Sequence, residues 1–247
     1  MKSLFAAALV ASSAVATNFA VLLAGSTSYK NYRHQADVSH VYQILKKQGV
    51  HPDNIVHMAY DDIANNPENP IKGTLINEPL GPNVYEAGSI DYRGKNVSKT
   101  NFFGALLGDK HMASGKVLNS GPDDNIFVYM SDHGIPGVFM MPGKGANPEL
   151  SVTGDDVIWE DELIHTIKKM HDNHRYKKMV IFVEACFSGS YFTKLQDWNV
   201  YAMTASNKYL TSKADFCFED AKLTKTITDQ DSCLSDLFSY NWMSKVE

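Results

Sequence analysis

The sequence lacks the features that define several large classes of protein. It has no block of lysine and arginine and its net charge is −5, which argues against a nucleic-acid footprint. After the N-terminal segment, no apolar run is long enough to span a bilayer. Repeats and low-complexity tracts are absent. The composition, 44% apolar and 21% charged, is that of a soluble globular protein. The length of 247 residues suits one large α/β domain, which we predict, or two small ones.

The N-terminal segment predicts export. Lys2 precedes an apolar run at residues 4–11, and Ala14-Val15-Ala16 supplies a small-x-small cleavage pattern. Residues 1–16 are therefore predicted to be a secretory signal peptide, followed by one domain at 17–247. The alternative is an N-terminal anchor helix, but the segment is short and interrupted by serines.

Cysteine is scarce, with three in the chain, and export decides how these residues are interpreted, because disulfides persist in oxidising compartments. We predict that Cys186 stays free and that Cys217 pairs with Cys233. On the chain-entropy model this bond contributes about 3 kcal/mol to stability. Asn96-Val97-Ser98 matches an N-glycosylation sequon, which predicts that Asn96 lies on a surface loop.

The segment that ends at Cys186 organises the chain. The apolar run from Met179 to Val183 predicts a strand buried on both faces of a parallel sheet. Ser188-Gly189-Ser190 then allows a sharp turn, which leaves the thiol at the carboxyl edge of the sheet, where open α/β sheets bind ligands. Considered alone, a cysteine here is more often a buried structural residue.

A second strand repeats this layout upstream. Residues 124–130 predict a buried strand that runs through Ser131-Asp132 into His133-Gly134. If the two strands are parallel neighbours, His133 and Cys186 project from the same edge. An imidazole beside a thiol can take its proton or, once charged, lower its pKa. Together the two residues therefore favour nucleophilic catalysis, although a single histidine after a strand is usually structural.

The other elements predict an α/β protein with a mostly parallel central sheet. Gly49, Ser98 and Gly108 supply signals for helix ends. The predicted elements are strands at 18–25, 54–58 and 199–204, a polar loop at 26–34 leading into a helix, a proline-rich surface excursion at 61–93, a helix at 99–107, a hairpin at 134–142, a helix from Asp155 or Asp156 to Lys169, a loop at 207–231 and a final helix at 234–243.

Two further groups of polar residues have alternative interpretations. His165, His171 and His174 could indicate a metal site, but no carboxylate or thiol lies at matching helical positions, so histidines in solvent at a helix end are favoured. The pair Asp61-Asp62 could indicate acid–base chemistry or a cation site. A turn with solvated charge is the favoured interpretation.

Six segments resemble one family closely and extend in order from about residue 18 to 243. They are Asn31-Tyr32-Arg33-His34-Gln35-Ala36-Asp37, Tyr60-Asp61-Asp62-Ile63-Ala64, Ser120-Gly121-Pro122, Asp132-His133-Gly134, Glu184-Ala185-Cys186 with Ser188-Gly189-Ser190, and Asn241-Trp242-Met243. They are similar to the hallmark segments of the legumains, the asparaginyl endopeptidases or vacuolar processing enzymes among the caspase-like cysteine peptidases.

This resemblance implies a caspase-like α/β/α sandwich and cleavage of peptides after asparagine. On matching positions, Cys186 is the nucleophile and His133 the general base and acid. Asn31 orients the histidine. The backbone N–H groups of Cys186 and Gly134 form the expected oxyanion hole. Cys217 and Cys233 occupy positions like those of a disulfide in the plant members.

The resemblance also implies a primary specificity pocket made by Arg33, His34, Glu184, Asp236 and Ser212. A carboxamide presents both an acceptor oxygen and an NH₂ donor, so a cation beside carboxylates suits asparagine. Aspartate offers no donor until it is protonated, and we therefore expect weak cleavage after aspartate only at acidic pH. A surface salt bridge is the alternative role for Arg33.

The implied partners are protein or peptide substrates with asparagine at the cleaved bond, together with cystatin-type inhibitors. No cofactor, metal, nucleic acid or membrane span is implied, and the compartment is lysosome-like, vacuole-like or extracellular. Peptide ligation could accompany hydrolysis. Family members carry a C-terminal prodomain, which we expect to be missing from this chain because it stops at Glu247. Phe187 departs from the glutamate that often follows the nucleophile.

Two other functions are compatible with the histidine and cysteine segments. One is a transferase like the catalytic subunit of the GPI-anchor transamidase, which is disfavoured because we expect no membrane anchor and because the segment from Glu184 to Ser190 resembles the legumain version. The other is a non-catalytic binding protein that keeps the fold. Asn31, His133 and Cys186 are all in place, which argues against it.

Overall fold

A five-stranded parallel sheet forms the centre of the molecule. The computed structural model describes residues 16–142, 157–217 and 232–247. The strands of this sheet are β1 (Asn18–Ala24), β2 (Ile55–Met58), β3 (Asn125–Ser131), β7 (Lys178–Glu184) and β8 (Val200–Thr204). They lie in the order β2-β1-β3-β7-β8 with every pairing parallel. The predicted strand ending near His133 and the one ending near Cys186 are therefore direct neighbours.

Helices cover both faces of the sheet. Helices α1 (Tyr32–Lys47) and α4 (Leu237–Val246) lie on one face, and α2 (Lys99–Leu107) and α3 (Glu160–Asp172) on the other. Successive residues of β1 alternate between the layers: Leu22 joins the cluster with α1 and α4, and Leu23 the cluster with α2 and α3. Each such buried side chain contributes roughly 1.5–3 kcal/mol. The predicted α/β/α sandwich is confirmed.

Helix α2 shows how local sequence sets the ends of an element. The Ser98 hydroxyl accepts a hydrogen bond from the backbone N–H of Asn101 at 3.2 Å, which caps the first turn. Gly108 ends the helix in the left-handed conformation, with φ of 68°. The predicted bounds, residues 99–107, are confirmed, and so is the irregular excursion at 61–93, which contains no helix or strand apart from one 3₁₀ turn at Ala87–Ser89.

Two small antiparallel sheets complete the described fold. One contains β4 (Gly134–Ile135), β5 (Val138–Met140) and β6 (Val157–Trp159), and its first two strands are the predicted hairpin. The other pairs β9 (Ala214–Cys217) with β10 (Cys233–Asp236). The Cys217–Cys233 disulfide joins these two strands, as predicted. Cys186 is the free cysteine.

Two predicted helix starts are wrong. Val157 and Ile158 were assigned to a helix, but β6 holds them and α3 begins at Glu160, because these β-branched residues complete the small sheet against β5. The proposed capping residues Asp155 and Asp156 lie outside the described residues. Residues 234–236 are likewise strand rather than helix, because β10 pairs with β9.

Two predicted loops are shorter than expected. The loop at 26–34 gives way to a 3₁₀ turn at Tyr29–Asn31 and then to α1, so Arg33 and His34 lie in the first helical turn. The loop at 207–231 contains β9, and residues 218–231 of it lie outside the described residues.

Three predictions about export can be compared with the structure: the signal peptide, the lack of a membrane span and the glycosylation site. Residues 1–15 of the predicted signal peptide lie outside the described residues. Within the described ranges, no helix combines the length and apolar character needed to cross a membrane. Asn96 is exposed in a 3₁₀ turn before α2, as its predicted glycosylation requires.

Candidate active site

Strands β3 and β7 deliver the histidine and the cysteine to one rim of the sheet. Their register pairs Ser131 with Glu184, the last residue of each strand. The pairing continues one step beyond, because the backbone N–H of Asp132 donates to the Glu184 carbonyl at 3.1 Å. His133 and Cys186 each follow two residues after their strand, so they emerge side by side.

A hydrogen bond to Asn31 fixes the state of the His133 ring. The Asn31 Nδ2 donates to the Thr27 carbonyl at 2.9 Å, which leaves Oδ1 as the acceptor facing His133 Nε2 at 2.8 Å. Nε2 therefore carries the hydrogen, and in the neutral ring Nδ1 is free to accept a proton. Burial, followed by the charge of Arg33, lowers the pKa of His133 to about 4. The ring is neutral at the pH of most compartments.

A tight turn presents the Cys186 thiol. Phe187 adopts the left-handed conformation with φ of 56°, and a 3₁₀ turn follows at Ser188–Phe192. Ser190 Oγ donates to the Phe187 carbonyl at 2.6 Å and accepts from Gly137 N–H at 2.7 Å, which ties the turn to the β4–β5 hairpin. The small residues predicted to allow the turn thus also hold it.

Gly134 brings the two strand ends into close contact. A Cβ at this position would lie 2.7 Å from the Cys186 carbonyl oxygen and 1.7 Å from the hydroxyl of Tyr191. That hydroxyl donates to the same carbonyl at 2.9 Å. Only glycine lets the backbone after His133 pass this closely to the backbone of the cysteine.

A charged cluster lies beside this pair. Arg33 Nε donates to Asp236 Oδ1 at 2.8 Å, and the arginine side chain is 15% exposed while that of Asp236 is 4% exposed. Glu184 Oε2 accepts from the N–H and hydroxyl of Ser239 at 3.0 and 2.8 Å. Burial, then the neighbouring Asp236, raises the pKa of Glu184 to about 8. Burial likewise raises the pKa of Asp236, against the opposing effect of Arg33.

Two other predicted pocket residues are also at the rim. His34 is buried, with Nδ1 at 2.8 Å from Ser26 Oγ and at 3.3 Å from Asp132 Oδ1. Its ring packs edge-on against His133, with centroids 4.9 Å apart. The Ser212 hydroxyl lies 3.7 Å from the sulfur of Cys186. His34 thus packs against the His133 ring as well as bordering the charged cluster.

Sequence reasoning missed Asp37. This fully buried residue of α1 accepts hydrogen bonds from Asn77 Nδ2 at 2.7 Å and Ser235 Oγ at 2.9 Å. Burial and the charge of Asp236 raise its pKa well above the ordinary value. The motif around Arg33 contained this residue, but its i+4 position on a helix indicates only a shared face.

The histidines considered as metal ligands lie apart from this site. His165 and His174 are exposed, and His171 stacks on Trp198. In the described part of the chain, His34, Asp132 and His133 form the group whose ligand atoms lie within 4.8 Å of one another. His133 Nε2 and His34 Nδ1 already have hydrogen-bond partners.

Asp62, assigned from sequence to a solvated turn, has structural partners. Its two carboxylate oxygens accept from Ser28 N–H and from Gln35 Nε2, each at 2.7 Å. Asp61 instead accepts from the Tyr85 hydroxyl and pairs with Arg93. The solvated interpretation is therefore wrong for this pair. No local pattern indicates these partners, because Ser28 lies 34 residues away from Asp62 and contributes only its backbone.

Fold and site together define a class: an α/β protein whose parallel sheet carries a free thiol and a hydrogen-bonded imidazole at one rim. The chain belongs to the Peptidase C13 family, whose profile matches residues 18–247.

Curated relatives from plants and a flatworm align with most of the chain. It is 47% identical over 240 residues to a vacuolar-processing enzyme beta-isozyme of Arabidopsis thaliana, covering 94% of this chain and 46% of that protein. It is 44% identical over 238 residues to a legumain of Canavalia ensiformis (94% and 47%), and 44% identical over 227 residues to a hemoglobinase of Schistosoma mansoni (91% and 48%). The chain spans about half the length of these curated relatives.

Proposed function

We propose that this protein is a cysteine endopeptidase that cleaves peptide bonds after asparagine. The observation that carries the proposal is the rim geometry: the free cysteine emerges beside a neutral imidazole whose Nε2 hydrogen is committed to Asn31. The names of the relatives, legumain and vacuolar-processing enzyme, support the same activity.

The chemistry follows from these groups. His133 Nδ1 takes the thiol proton, and the sulfur of Cys186 attacks the substrate carbonyl carbon. The N–H groups of Cys186 and Gly134 stabilise the resulting oxyanion. The tetrahedral species collapses when the imidazolium gives its proton to the leaving amine, which leaves a thioester. Water then attacks, His133 takes its proton, and the acid product departs as the protonated ring restores the thiol. An amine in place of water would give ligation.

The charged cluster suits an asparagine side chain. Arg33, the partly exposed member, donates to the carboxamide oxygen, and the buried Asp236 behind it holds the guanidinium. An ionised Asp236 would repel an ionised aspartate, whereas a carboxamide adds no charge and offers two donors. His34 and Ser212 border the same space. Protonation removes the charge of aspartate, so its slow cleavage belongs to acidic pH.

The decisive experiment uses fluorogenic tripeptides ending in Asn, Asp, Arg or Leu, assayed from acidic to neutral pH. We expect Asn-selective cleavage, with at least a ~10³-fold loss in Cys186→Ala. The expected cleavage of short peptides without partner subunits would exclude the transamidase-like transferase. Arg-selective cleavage, or turnover that survives loss of the thiol, would contradict the proposal, and peptide binding without turnover would favour the non-catalytic alternative.

The setting of the enzyme is a second part of the proposal. We propose passage through the secretory pathway to a vacuole- or lysosome-like compartment, supported by the names of the plant relatives and by the N-terminal sequence pattern. Cystatin-type inhibitors are the expected protein partners. A glycosidase-sensitive mass shift that disappears in Asn96→Gln would test the route. A secreted protein that retains residues 1–16 would count against the signal peptide.

A further inference from the structure

Both carboxylate oxygens of Asp62 accept hydrogen bonds from the protein, close to the loop after β1 that leads to Asn31. One oxygen accepts from the backbone N–H of Ser28 and the other from Gln35 Nε2, both at 2.7 Å. Gln35 also accepts from the backbone N–H of Asp61 at 3.0 Å. Gln35 is a buried residue of α1, so Asp62 links that helix to the loop after β1.

Ser28 needs this support because its backbone is strained. Its φ of 72° and ψ of 152° lie in a region that is populated essentially by glycine. Residues other than glycine hold such a conformation only when their surroundings over-determine it. An anionic acceptor on the Ser28 N–H is a strong restraint of this kind, since charge-assisted hydrogen bonds are about twice as strong as neutral ones.

The strained residue leads directly to the catalytic histidine. The Ser28 carbonyl accepts from the backbone N–H of Asn31 at 3.0 Å. The neighbouring Thr27 carbonyl accepts from Asn31 Nδ2, and Asn31 Oδ1 accepts from His133 Nε2 at 2.8 Å. Three hydrogen bonds therefore connect Asp62 to the imidazole: through Ser28 N–H, through Asn31 N–H and through Asn31 Oδ1.

We infer that Asp62 is a positioning residue for catalysis: by holding Ser28 in its strained conformation, it orients Asn31 and so keeps the proton-accepting nitrogen of His133 directed at the thiol. Asp62 acts without touching the substrate. An amide would replace it poorly, because both partners of the carboxylate are donors and an asparagine side chain has one acceptor oxygen. The inference rests on the proposed cysteine chemistry and adds a residue to it.

The first test compares neighbouring acids. In Asp62→Ala we expect kcat for an Asn tripeptide to fall at least tenfold, with KM changed less than threefold. Asp62→Asn keeps one bond and should lie between Asp62→Ala and the unmodified enzyme. Asp61→Ala is the matched control, because Asp61 contacts Tyr85 and Arg93 instead, and its kcat should stay within threefold. Equal losses in both alanine variants would overturn the inference.

The second test asks whether Asp62 acts through Asn31 and requires no peptide substrate. Iodoacetamide alkylation of Cys186, followed from about pH 5 to 9, reports thiolate formation assisted by His133. We expect Asp62→Ala to shift this profile toward that of an ordinary thiol. In an Asn31→Ala background, the same change should slow alkylation less than twofold. A multiplicative loss in the double variant would overturn the inference.

Two controls separate the possible failures. If the unmodified enzyme alkylates like a free thiol, the proposed cysteine mechanism fails. If its profile is shifted but both Asp62 variants match it, only the role of Asp62 fails. Should Asp62→Ala unfold, Asp62→Asn gives the same comparison, and an alkylation profile of Asp62→Asn identical to that of the unmodified enzyme would count against the inference.

Discussion

The rim has two halves that differ in their electrostatics: a catalytic side with Asn31 and His133, and a pocket side with Arg33 and the buried acids. On the catalytic side, Asn31 and His133 are neutral groups in a directed hydrogen-bond chain. On the pocket side, Arg33 faces several buried acids whose pKa values are raised by burial. The neutral His133 ring keeps its hydrogen bond to Asn31 unchanged until the pH falls toward about 4, whereas the acid cluster changes charge near neutral pH because the pKa of Glu184 is about 8. The pH response near neutral pH should therefore originate mainly in the pocket.

Removing Arg33 should have the largest effect, because it disables the pocket side while leaving the catalytic side intact. Arg33→Met leaves Asp236 buried without its cation, a change that typically lowers the free energy of unfolding by about 3–5 kcal/mol. We expect kcat/KM for Asn peptides to fall about 10³-fold, while iodoacetamide alkylation of Cys186 at neutral pH changes less than threefold. Arg33→Lys keeps the charge but loses the fork of donors and should be intermediate. A parallel collapse of alkylation would show that the two halves are not separable.

Glu184 should make the stability of the folded protein depend on pH. Its pKa is raised from 4.5 to about 8 in the folded protein, so folding favours the protonated acid. Between pH 4.5 and about 8 the unfolded chain loses this proton first, and stability falls as pH rises, by on the order of a few kcal/mol. Glu184→Gln should flatten that part of the curve in thermal unfolding measured across the range. An unchanged slope would contradict the assignment.

His133 should change the stability of the folded protein with pH in the opposite direction to Glu184. Its pKa is lowered from 6.5 to about 4, so the folded state binds this proton less readily than the unfolded chain. Its contribution to stability is present above about pH 6.5 and is lost as pH falls toward 4. The two halves therefore limit stability from opposite sides of the pH scale.

Loss of Asn31 should affect catalysis more than binding. Asn31→Ala frees His133 Nε2 and permits the other tautomer, so we expect kcat to fall roughly 10- to 100-fold, since the general base then loses much of its orientation. KM for Asn peptides should stay within threefold, because the pocket is untouched. A rise in KM without loss of kcat would place Asn31 in substrate binding instead.

The smallest expected effect concerns the strained Ser28. Glycine adopts its backbone conformation freely, so Ser28→Gly should raise the free energy of unfolding by about 1 kcal/mol, after the entropic cost of glycine is subtracted. Chemical denaturation would measure this. Destabilisation by a similar amount would mean that the surroundings of Ser28 already offset the strain.

The sequence was sufficient to predict the sheet and the rim because their signals are local. Apolar runs that end in small residues marked both strands, and their parallel pairing followed from the α/β pattern. The helix boundaries near Val157 and Leu234 failed because short apolar segments fit either helix or strand, and the deciding partners, β5 and β9, are distant in sequence.

The support of the site could not be predicted in the same way. Asp62 acts through the backbone N–H of a residue 34 positions away, and Asp37 bonds to Asn77 and Ser235, which come from separate parts of the chain. No periodicity or spacing reports such contacts. They exist only once the fold has brought the segments together.

The lack of a side chain at Gly134 limits how this rim can change. A single methyl group there would collide with the Tyr191 hydroxyl and the Cys186 carbonyl, so the backbone after His133 would have to move away from the backbone of Cys186. Substitutions at this position should therefore be excluded by sterics rather than by chemistry.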